Sequence, residues 1–278
     1  MNVKKKIAVQ DLQRMKDQGR KYTLVTAYDY TTASIVDESD CEIILVGDSL
    51  GMVMLGYSST TGVTMEDMIY HIRPVVKGAP NTFVVGDMPF GSYNVNCEQA
   101  IVNATHMIKE TGCDAVKLEG GGEVADQVAA IVRAGIPLIG HIGLTPQTAM
   151  SLGGFKVQGD SLESAKKLIE DAKALESSGA SAIVIECVPS GVTKRISESI
   201  GIPTMGIGAG PHCACQVLVT QDLLGMYSDF RPKFVKRFAN VREVMVEGLN
   251  RFHTETDNGN FPTPEFSFNK EIELDKLY

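Results

Sequence analysis

The sequence predicts an α/β protein in which eight parallel strands and their connecting helices close into a (β/α)8 TIM barrel. Short runs of branched apolar residues, typical of strands buried on both faces, recur along the 278 residues. They alternate with amphipathic helical segments, and this alternation requires a parallel sheet with right-handed crossovers. Eight such units in a chain of this length favour a closed barrel over an open sheet. Because no internal stretch has the composition of a linker, we expect a single domain over residues 1–278.

Apolar periodicity and helix-end signals give the order of the elements. We predict strands at residues 22–29, 43–46, 82–87, 115–119, 136–143, 182–187 and 203–208, and within 216–224. The predicted helices cover residues 8–18, 31–38, 64–76, 96–111, 124–132, 161–178, 192–199 and 241–253. Thr64, which two acids follow, is typical of a helix N-cap, and Gly112 is typical of a helix C-terminus. The polar tail over residues 254–278 predicts an extended or mobile end.

Composition and charge narrow the functional classes. Hydrophobic residues make up 44% of the chain and charged residues 22%, as in ordinary soluble globular proteins. A formal net charge of −8 argues against a nucleic-acid or membrane-surface partner. No apolar stretch reaches the roughly 18 residues of a membrane-spanning helix, and the N-terminus lacks the apolar run of a signal peptide. The six cysteines are scattered without a CxxC pair, so we expect a cytoplasmic protein with reduced cysteines.

The phrase Val-Gly-Asp ends two predicted strands and supplies the first candidate site residues. Asp48, which Ser49 follows, comes after the second strand, and Asp87 ends the third. In such barrels the C-terminal ends of the strands carry the chemistry, so the two carboxylates should point into one space. An acid at a strand end can also serve only to cap the next helix, and this is the interpretation we favour for Asp29.

Further polar residues near strand ends extend this cluster. Lys117 and Glu119 alternate with Leu118 and should face the barrel interior, either as part of the site or as a plain internal salt bridge. Together with Asp48 and Asp87, Glu119 would supply the hard oxygen ligands that suit Mg²⁺. A 2-oxo acid would offer such a metal ion two oxygens, one from its carboxylate and one from its keto group.

Two residues on later strands complete the candidate set. Glu186 follows the apolar run Ala-Ile-Val-Ile, so burial would raise its pKa and make it a competent general base. His141 either faces a ligand or is structural. The glycine-rich run over residues 206–210 lacks the spacing and context of a dinucleotide fingerprint, so we interpret it as a strand with close backbone approach. These residues together indicate a barrel enzyme that stabilises an enolate with Mg²⁺, and they leave the substrate open.

Seven short phrases, in order along the chain, carry a resemblance to a known family. They are VGDSLG from Val46, GDMPFGSY from Gly86, VKLEGG from Val116, GHIGLTPQ from Gly140, ECVP from Glu186, GIGAG from Gly206 and PKFVK from Pro232. Each phrase alone is weakly diagnostic, whereas the ordered set is highly specific. The chain resembles the 3-methyl-2-oxobutanoate hydroxymethyltransferase (ketopantoate hydroxymethyltransferase) family. The resemblance implies a barrel of the phosphoenolpyruvate-mutase/isocitrate-lyase type and a reaction between 3-methyl-2-oxobutanoate and 5,10-methylenetetrahydrofolate.

The resemblance also implies a role for each candidate residue. The residues implied to bind the oxo acid are Asp48, Ser49, Asp87, Lys117 and His141. Those implied to ligate Mg²⁺ are Asp48 and Asp87, with Glu119 directly or through a water. Glu186 matches the general base. Members of the family form large homo-oligomers, so the resemblance further implies self-association, as a homodecamer.

One departure from the family's phrases stands out. Where the family has Asp-Gly before Gln-Val-Leu-Val, this chain has Ala214 and Cys215. We expect the change to alter the local loop and the affinity for folate or the rate, and we expect the double change back to Asp and Gly to be tolerated. Two other functions stay open. One is a Mg²⁺-dependent lyase or mutase that acts on a 2-oxo acid without folate, and the other is a non-enzymatic scaffold that has kept the metal site.

Overall fold

Eight parallel strands close into a barrel in chain order, β1 to β8. The structure is a computed structural model that describes residues 4–227 and 232–270. The strands are β1 Tyr22–Thr26, β2 Ile43–Val46, β3 Phe83–Asp87, β4 Ala115–Lys117, β5 Leu138–Gly143, β6 Ala182–Glu186, β7 Thr204–Ile207 and β8 Cys215–Leu218. β8 pairs with β1 in parallel, with Val217 opposite Leu24, and this pairing closes the barrel. The predicted (β/α)8 barrel is confirmed.

Helices occupy the connections that the sequence predicts, and two short helices that it does not predict are present at Leu50–Val53 and Thr220–Leu223. They are α1 Val9–Asp17, α2 Tyr30–Glu38, α3 Leu50–Val53, α4 Met65–Gly78, α5 Cys97–Thr111, α6 Ala125–Arg133, α7 Leu162–Ser177, α8 Ser190–Ser199, α9 Thr220–Leu223 and α10 Val241–Asp257. Thr64 caps α4 by accepting a hydrogen bond from the Asp67 N–H, and Gly112 ends α5 with a φ of 73°. Among the described residues, no helix combines the length and apolar character needed to cross a bilayer.

The barrel interior is filled by side chains from alternate strand positions, and α1 contributes to it. Leu12 and Met15 of α1 are buried in the same cluster as Tyr22 and Cys215, which begin β1 and β8. These residues lie at the N-terminal ends of their strands. Helix α1 therefore covers that end of the barrel, which leaves the C-terminal ends of the strands for a site.

The chain divides into two compact units. The first ends at Thr220 and also includes Pro232–Val235, and it holds all eight strands. The second contains the other described residues from Gln221 onward, among them α10. The expectation of one domain over residues 1–278 stays a prediction.

The last helix is longer than the sequence predicts. Helix α10 continues to Asp257 rather than ending at residue 253, and a 3₁₀ turn follows at Pro264–Phe266. The Phe261 ring lies 5.5 Å from the Phe252 ring and 6.0 Å from the Phe266 ring, so aromatic contacts order the start of the predicted tail. The prediction of an extended end from residue 254 is wrong for this part, and residues 271–278 lie outside the described residues.

Candidate active site

Three charged side chains meet at the C-terminal ends of β2, β3 and β4. Asp48 lies two residues beyond β2, whereas Asp87 ends β3 and is paired in register with Lys117, which ends β4. All three are buried. The Lys117 ammonium donates to both Asp87 carboxylate oxygens, at 2.8 and 2.9 Å, and the Asp48 N–H donates to Asp87 Oδ2 at 3.2 Å. The two Val-Gly-Asp strands thus place their carboxylates together, as the sequence predicts.

Glu119, His141 and Glu186 extend this group across β4, β5 and β6. Glu119 Oε1 lies 3.6 Å from Lys117 Nζ and 3.4 Å from His141 Nδ1. The other ring nitrogen, His141 Nε2, lies 3.4 Å from Glu186 Oε2. These separations are long, and within the described residues neither ring nitrogen has a hydrogen bond of good geometry. The buried imidazole of His141 therefore lies between two carboxylates. A small movement of either carboxylate would bring it into hydrogen-bonding distance of the ring.

Glu186 is less buried than the sequence predicts. Its side chain keeps 17% of its surface exposed, against 3% for His141 and 1% for Glu119. The backbone turns sharply after it, because Cys187 has a φ of 49° while its N–H still donates to Ile207 O at 2.9 Å. The role of Glu186 as a general base stays a prediction. Its position is at the open side of the cluster, where a substrate can reach it.

Two residues that the sequence analysis did not assign hold the acidic cluster together. Gln147, in the loop after β5, donates from Nε2 to Asp48 Oδ2 at 2.9 Å and to Met88 O at 3.0 Å, and its N–H donates to Glu119 Oε2 at 3.0 Å. The Tyr93 hydroxyl donates to Gln147 Oε1 at 2.6 Å. Both residues lie in the family phrases GHIGLTPQ and GDMPFGSY. No charge or periodicity marked them, so the phrases were the signal that could have found them.

Ser49 and Asp29 have different roles at this end of the barrel. The Ser49 hydroxyl is 2.8 Å from the Tyr28 hydroxyl, beside the cluster at the start of α3. Asp29 instead accepts hydrogen bonds from the Thr32 N–H and hydroxyl, both at 2.8 Å, and caps α2. The prediction that Asp29 is a helix cap is confirmed.

The cluster holds more negative charge than its basic groups neutralise. Burial, together with repulsion from Asp87 and Glu119, raises the pKa of Asp48 well above its usual range. Burial also raises the pKa of Asp87, although the Lys117 ammonium opposes the shift. Burial alone would also raise the pKa of Glu119. The neighbouring Lys117 and His141 outweigh burial, so the pKa of Glu119 is lowered. Burial and Lys117 lower the pKa of His141, yet the neighbouring carboxylates prevail and raise the pKa to about 9.

The residues around Asp48 and Asp87 fit a divalent cation that takes few protein ligands. Within the part of the chain that the structure describes, no three His, Cys, Asp or Glu side chains are arranged to hold a metal ion. Mg²⁺ binds through one or two carboxylates and keeps several waters. Burial, together with the neighbouring Glu119 carboxylate, raises the pKa of both aspartates, and a bound cation would oppose this shift.

The departure from the family's phrases lies at the opposite end of the barrel. Cys215 begins β8, is fully buried and pairs in register with Tyr22 at the start of β1. The preceding residue, Ala214, packs against the same core cluster. The nearby Gly206 confirms the predicted close backbone approach, because a Cβ there would lie 2.9 Å from Cys213 Sγ. The candidate catalytic residues are all at the other ends of the strands.

Comparisons with known proteins show the family of the chain. Residues 6–264 match the family described as ketopantoate hydroxymethyltransferase. The 3-methyl-2-oxobutanoate hydroxymethyltransferase of Heliobacterium modesticaldum is 58% identical over 99% of both chains. The protein of the same name from Clostridium novyi is 56% identical over 98% of this chain and 100% of the relative.

Solved structures show the fold at much lower identity. A phosphonopyruvate hydrolase in complex with oxalate and Mg²⁺ has a TM-score of 0.61 and 12% identity, and covers 94% of this chain and 93% of its own. A 2,3-dimethylmalate lyase, described as a PEP mutase/isocitrate lyase superfamily member, has a TM-score of 0.59 and 13% identity over 94% of this chain and 93% of its own. These similarities show the (β/α)8 barrel fold. The match to the family model over residues 6–264, and to relatives more than half identical over nearly the whole chain, places this chain in the ketopantoate hydroxymethyltransferase family.

Proposed function

We propose that the protein transfers a hydroxymethyl group from 5,10-methylenetetrahydrofolate to 3-methyl-2-oxobutanoate. The products are 2-dehydropantoate and tetrahydrofolate, in the biosynthesis of pantothenate. The observation that carries the proposal is the buried group of Asp48, Asp87, Lys117 and Glu119 at the barrel mouth, in a chain 58% identical to an enzyme of that name. This group can bind a small anion beside a cation and hold it against Glu186.

The oxo acid binds where the strand ends of β2 to β5 converge. Asp48, Ser49 and Asp87 line one side, and Lys117 balances negative charge that develops on the substrate. His141 lies between Glu119 and Glu186, so it can keep the two carboxylates apart and orient the oxo acid. Because the group is buried, water is largely excluded and each charge acts more strongly on the substrate than it would in solution.

Glu186 is the general base in this proposal. It is the most exposed of the charged residues in the group, and its Oε2 lies 3.4 Å from His141 Nε2. A substrate that enters from the mouth would present its C3 hydrogen to this carboxylate. Glu186 then removes the proton and leaves an enolate, whose C3 forms a bond to the one-carbon unit carried by the folate. One water supplies the hydroxyl oxygen, and the carbon–nitrogen bonds of the one-carbon unit break, so that tetrahydrofolate leaves with its nitrogens protonated.

Asp48 and Asp87 would hold Mg²⁺ in this site. When bound, the ion polarises the keto oxygen and stabilises the enolate. Both oxygens of Glu119 face donors, since Oε2 accepts from the Gln147 N–H and Oε1 faces Lys117 and His141. Glu119 would act on the ion either directly or through a bound water, since both oxygens of Asp87 also accept hydrogen bonds.

Self-association, as a homodecamer in the cytoplasm, belongs to the same proposal. Helix α10 buries none of its residues, and it exposes Met245, Leu249 and Phe252 at helical spacing on one face. An exposed apolar face of this length is typical of an interface. Leu249→Glu should reduce the subunit number measured by light scattering, whereas Glu247→Gln on the same helix should not. An assembly unchanged by Leu249→Glu would contradict a role for this face.

Product analysis tests the proposed reaction. Purified protein is incubated with 3-methyl-2-oxobutanoate and Mg²⁺, with and without 5,10-methylenetetrahydrofolate, and the products are identified by mass spectrometry. We expect 2-dehydropantoate only when folate is present. A cleaved or rearranged oxo acid without folate would indicate a lyase or mutase instead. Folded protein that turns over neither mixture would indicate a non-enzymatic scaffold.

A further inference from the structure

A cavity of about 260 Å³ opens at the N-terminal end of the barrel, away from the candidate active site. It lies between the end of α1, the helix α8 and the starts of β7 and β8. Its lining is strongly basic. The cationic side chains that face it are Lys16, Arg20, Lys21 and Lys194, and within its described lining Glu198 is the only carboxylate.

Two of these positive charges are matched by carboxylates. Arg20 forms an ion pair with Glu42 at 2.6 Å, and Lys194 Nζ lies 3.9 Å from Glu198 Oε1. In both pairs the basic side chain is more than half exposed to solvent, so each pair contributes little to stability. They do, however, cancel the net charge of these two residues in the cavity.

Lys16 and Lys21 are held by main-chain carbonyls instead. The Lys16 ammonium donates to Ile202 O at 3.1 Å, and also to the carbonyls of the two preceding residues. The Lys21 ammonium donates to Cys213 O at 2.6 Å and to Pro211 O at 3.3 Å. In the described part of the chain, neither ammonium forms an ion pair with a carboxylate. Carbonyls fix the positions of the two charges but carry no net charge, so the cavity keeps about two positive charges.

Hydroxyl groups complete the polar lining. Ser197 Oγ and Thr204 Oγ1 are 2.8 Å apart, and both residues line the cavity. Thr204 is buried, so its hydroxyl has a fixed place at the cavity floor. A hydroxyl beside fixed ammonium groups is a combination that binds the oxygens of an anion.

We propose that this cavity is a second binding site, for a doubly charged oxyanion of the phosphate class. Lys16 and Lys21 supply the charge, and the hydroxyl pair of Ser197 and Thr204 supplies hydrogen bonds. The volume accommodates either free phosphate or the phosphate group of a small metabolite. The site is independent of the proposed hydroxymethyl transfer, because none of its residues belongs to the candidate active site.

Calorimetric titration tests the site, with inorganic phosphate and glycerol 3-phosphate as the probes. The protein is first treated with EDTA, the chelator is then removed by dialysis, and the ionic strength is held constant, so that neither metal chelation nor general screening contributes. We expect both probes to bind and acetate, which carries one charge, to bind more weakly. Tighter binding of glycerol 3-phosphate would assign the site to a phosphorylated metabolite, whereas equal binding would assign it to free phosphate. No heat from either phosphate probe would overturn the proposal.

Two variants locate the binding. Lys21→Gln removes one charge on an exposed side chain and should weaken phosphate binding roughly fivefold, the effect of one half-exposed ion pair. Ala214→Asp places a carboxylate in the cavity lining and should weaken binding more than tenfold, because it neutralises one ammonium and repels the anion. Lys173→Gln, on the exposed side of α7, should change nothing. Phosphate affinity that is unchanged in both cavity variants would show that the anion binds elsewhere and would refute the assignment.

Discussion

Gln147→Ala should both destabilise the protein and slow its chemistry. The side chain makes three buried hydrogen bonds, to Asp48, to the Met88 carbonyl and from Tyr93. A hydrogen bond to a charged group contributes about 1.5–3 kcal/mol and a neutral one about 1 kcal/mol. Water that enters the vacated volume restores part of this loss. We therefore expect the free energy of unfolding to fall by about 3 kcal/mol.

The same change should leave the Asp48 carboxylate less firmly positioned. Its effect on Mg²⁺ binding and on proton exchange therefore distinguishes a role in the active site from a purely structural role. Urea unfolding measures the stability, calorimetry measures the affinity for Mg²⁺, and NMR in D₂O measures exchange of the C3 proton of 3-methyl-2-oxobutanoate. We expect weaker Mg²⁺ binding and exchange slowed by about tenfold or more at saturating Mg²⁺. Gln10→Ala, at an exposed glutamine of α1, is the matched control. Stability, Mg²⁺ affinity and exchange that all equal those of the control would refute the reasoning.

Two further substitutions test the packing of the site. Lys117→Met leaves the buried Asp87 carboxylate without its partner. The free energy of unfolding, measured in urea, should fall by about 3–5 kcal/mol. A variant as stable as the unchanged protein would contradict the pairing. Gly121→Ala would place a Cβ 2.2 Å from Asp171 Cγ and should cost about 1–3 kcal/mol by thermal unfolding. Gly122→Ala, whose Cβ would meet only ordinary contacts, should be close to neutral, and equal losses in the two glycine variants would contradict the clash.

The strands and most helix ends could be predicted because their causes are local. The four apolar residues of β2 are all buried, and the capping groups of Thr64 and Asp29 act within three residues of the helices they begin. Parallel strands that alternate with helices have few ways to close, so a correct list of elements nearly determines a barrel. The charged residues at strand ends then meet because the barrel brings those ends together.

The remaining features depend on distant parts of the chain. Gln147 reaches Asp48 only because the loop after β5 folds back over β2 and β3, and no sequence period encodes that path. The exposure of Glu186 depends on the backbone turn at Cys187. The apolar run before Glu186 correctly gave the strand but not the burial of its last side chain. Phe261, which comes after α10, likewise packs against Phe252 of that helix, and no sequence period encodes this contact.

The expected effect of Ala214 and Cys215 on folate affinity or rate is still a prediction. Both residues lie at the N-terminal end of the barrel, and Ala214 lines the basic cavity there. The Ala214→Asp, Cys215→Gly double variant is expected to fold. A purified double variant without a cooperative unfolding transition would contradict that expectation.

Removal of the C3 proton by Glu186 is the central step of the proposed function. Its most direct test is exchange of the C3 proton of 3-methyl-2-oxobutanoate in D₂O, followed by NMR with and without Mg²⁺ for the unchanged protein, Glu186→Gln and Glu170→Gln. Glu170 is an exposed glutamate of α7 and serves as the control. We expect Mg²⁺-dependent exchange in the unchanged protein and in Glu170→Gln, and its loss in Glu186→Gln. Exchange that persists in Glu186→Gln would contradict the assignment of the base, and no exchange in the unchanged protein, with or without tetrahydrofolate, would contradict the mechanism.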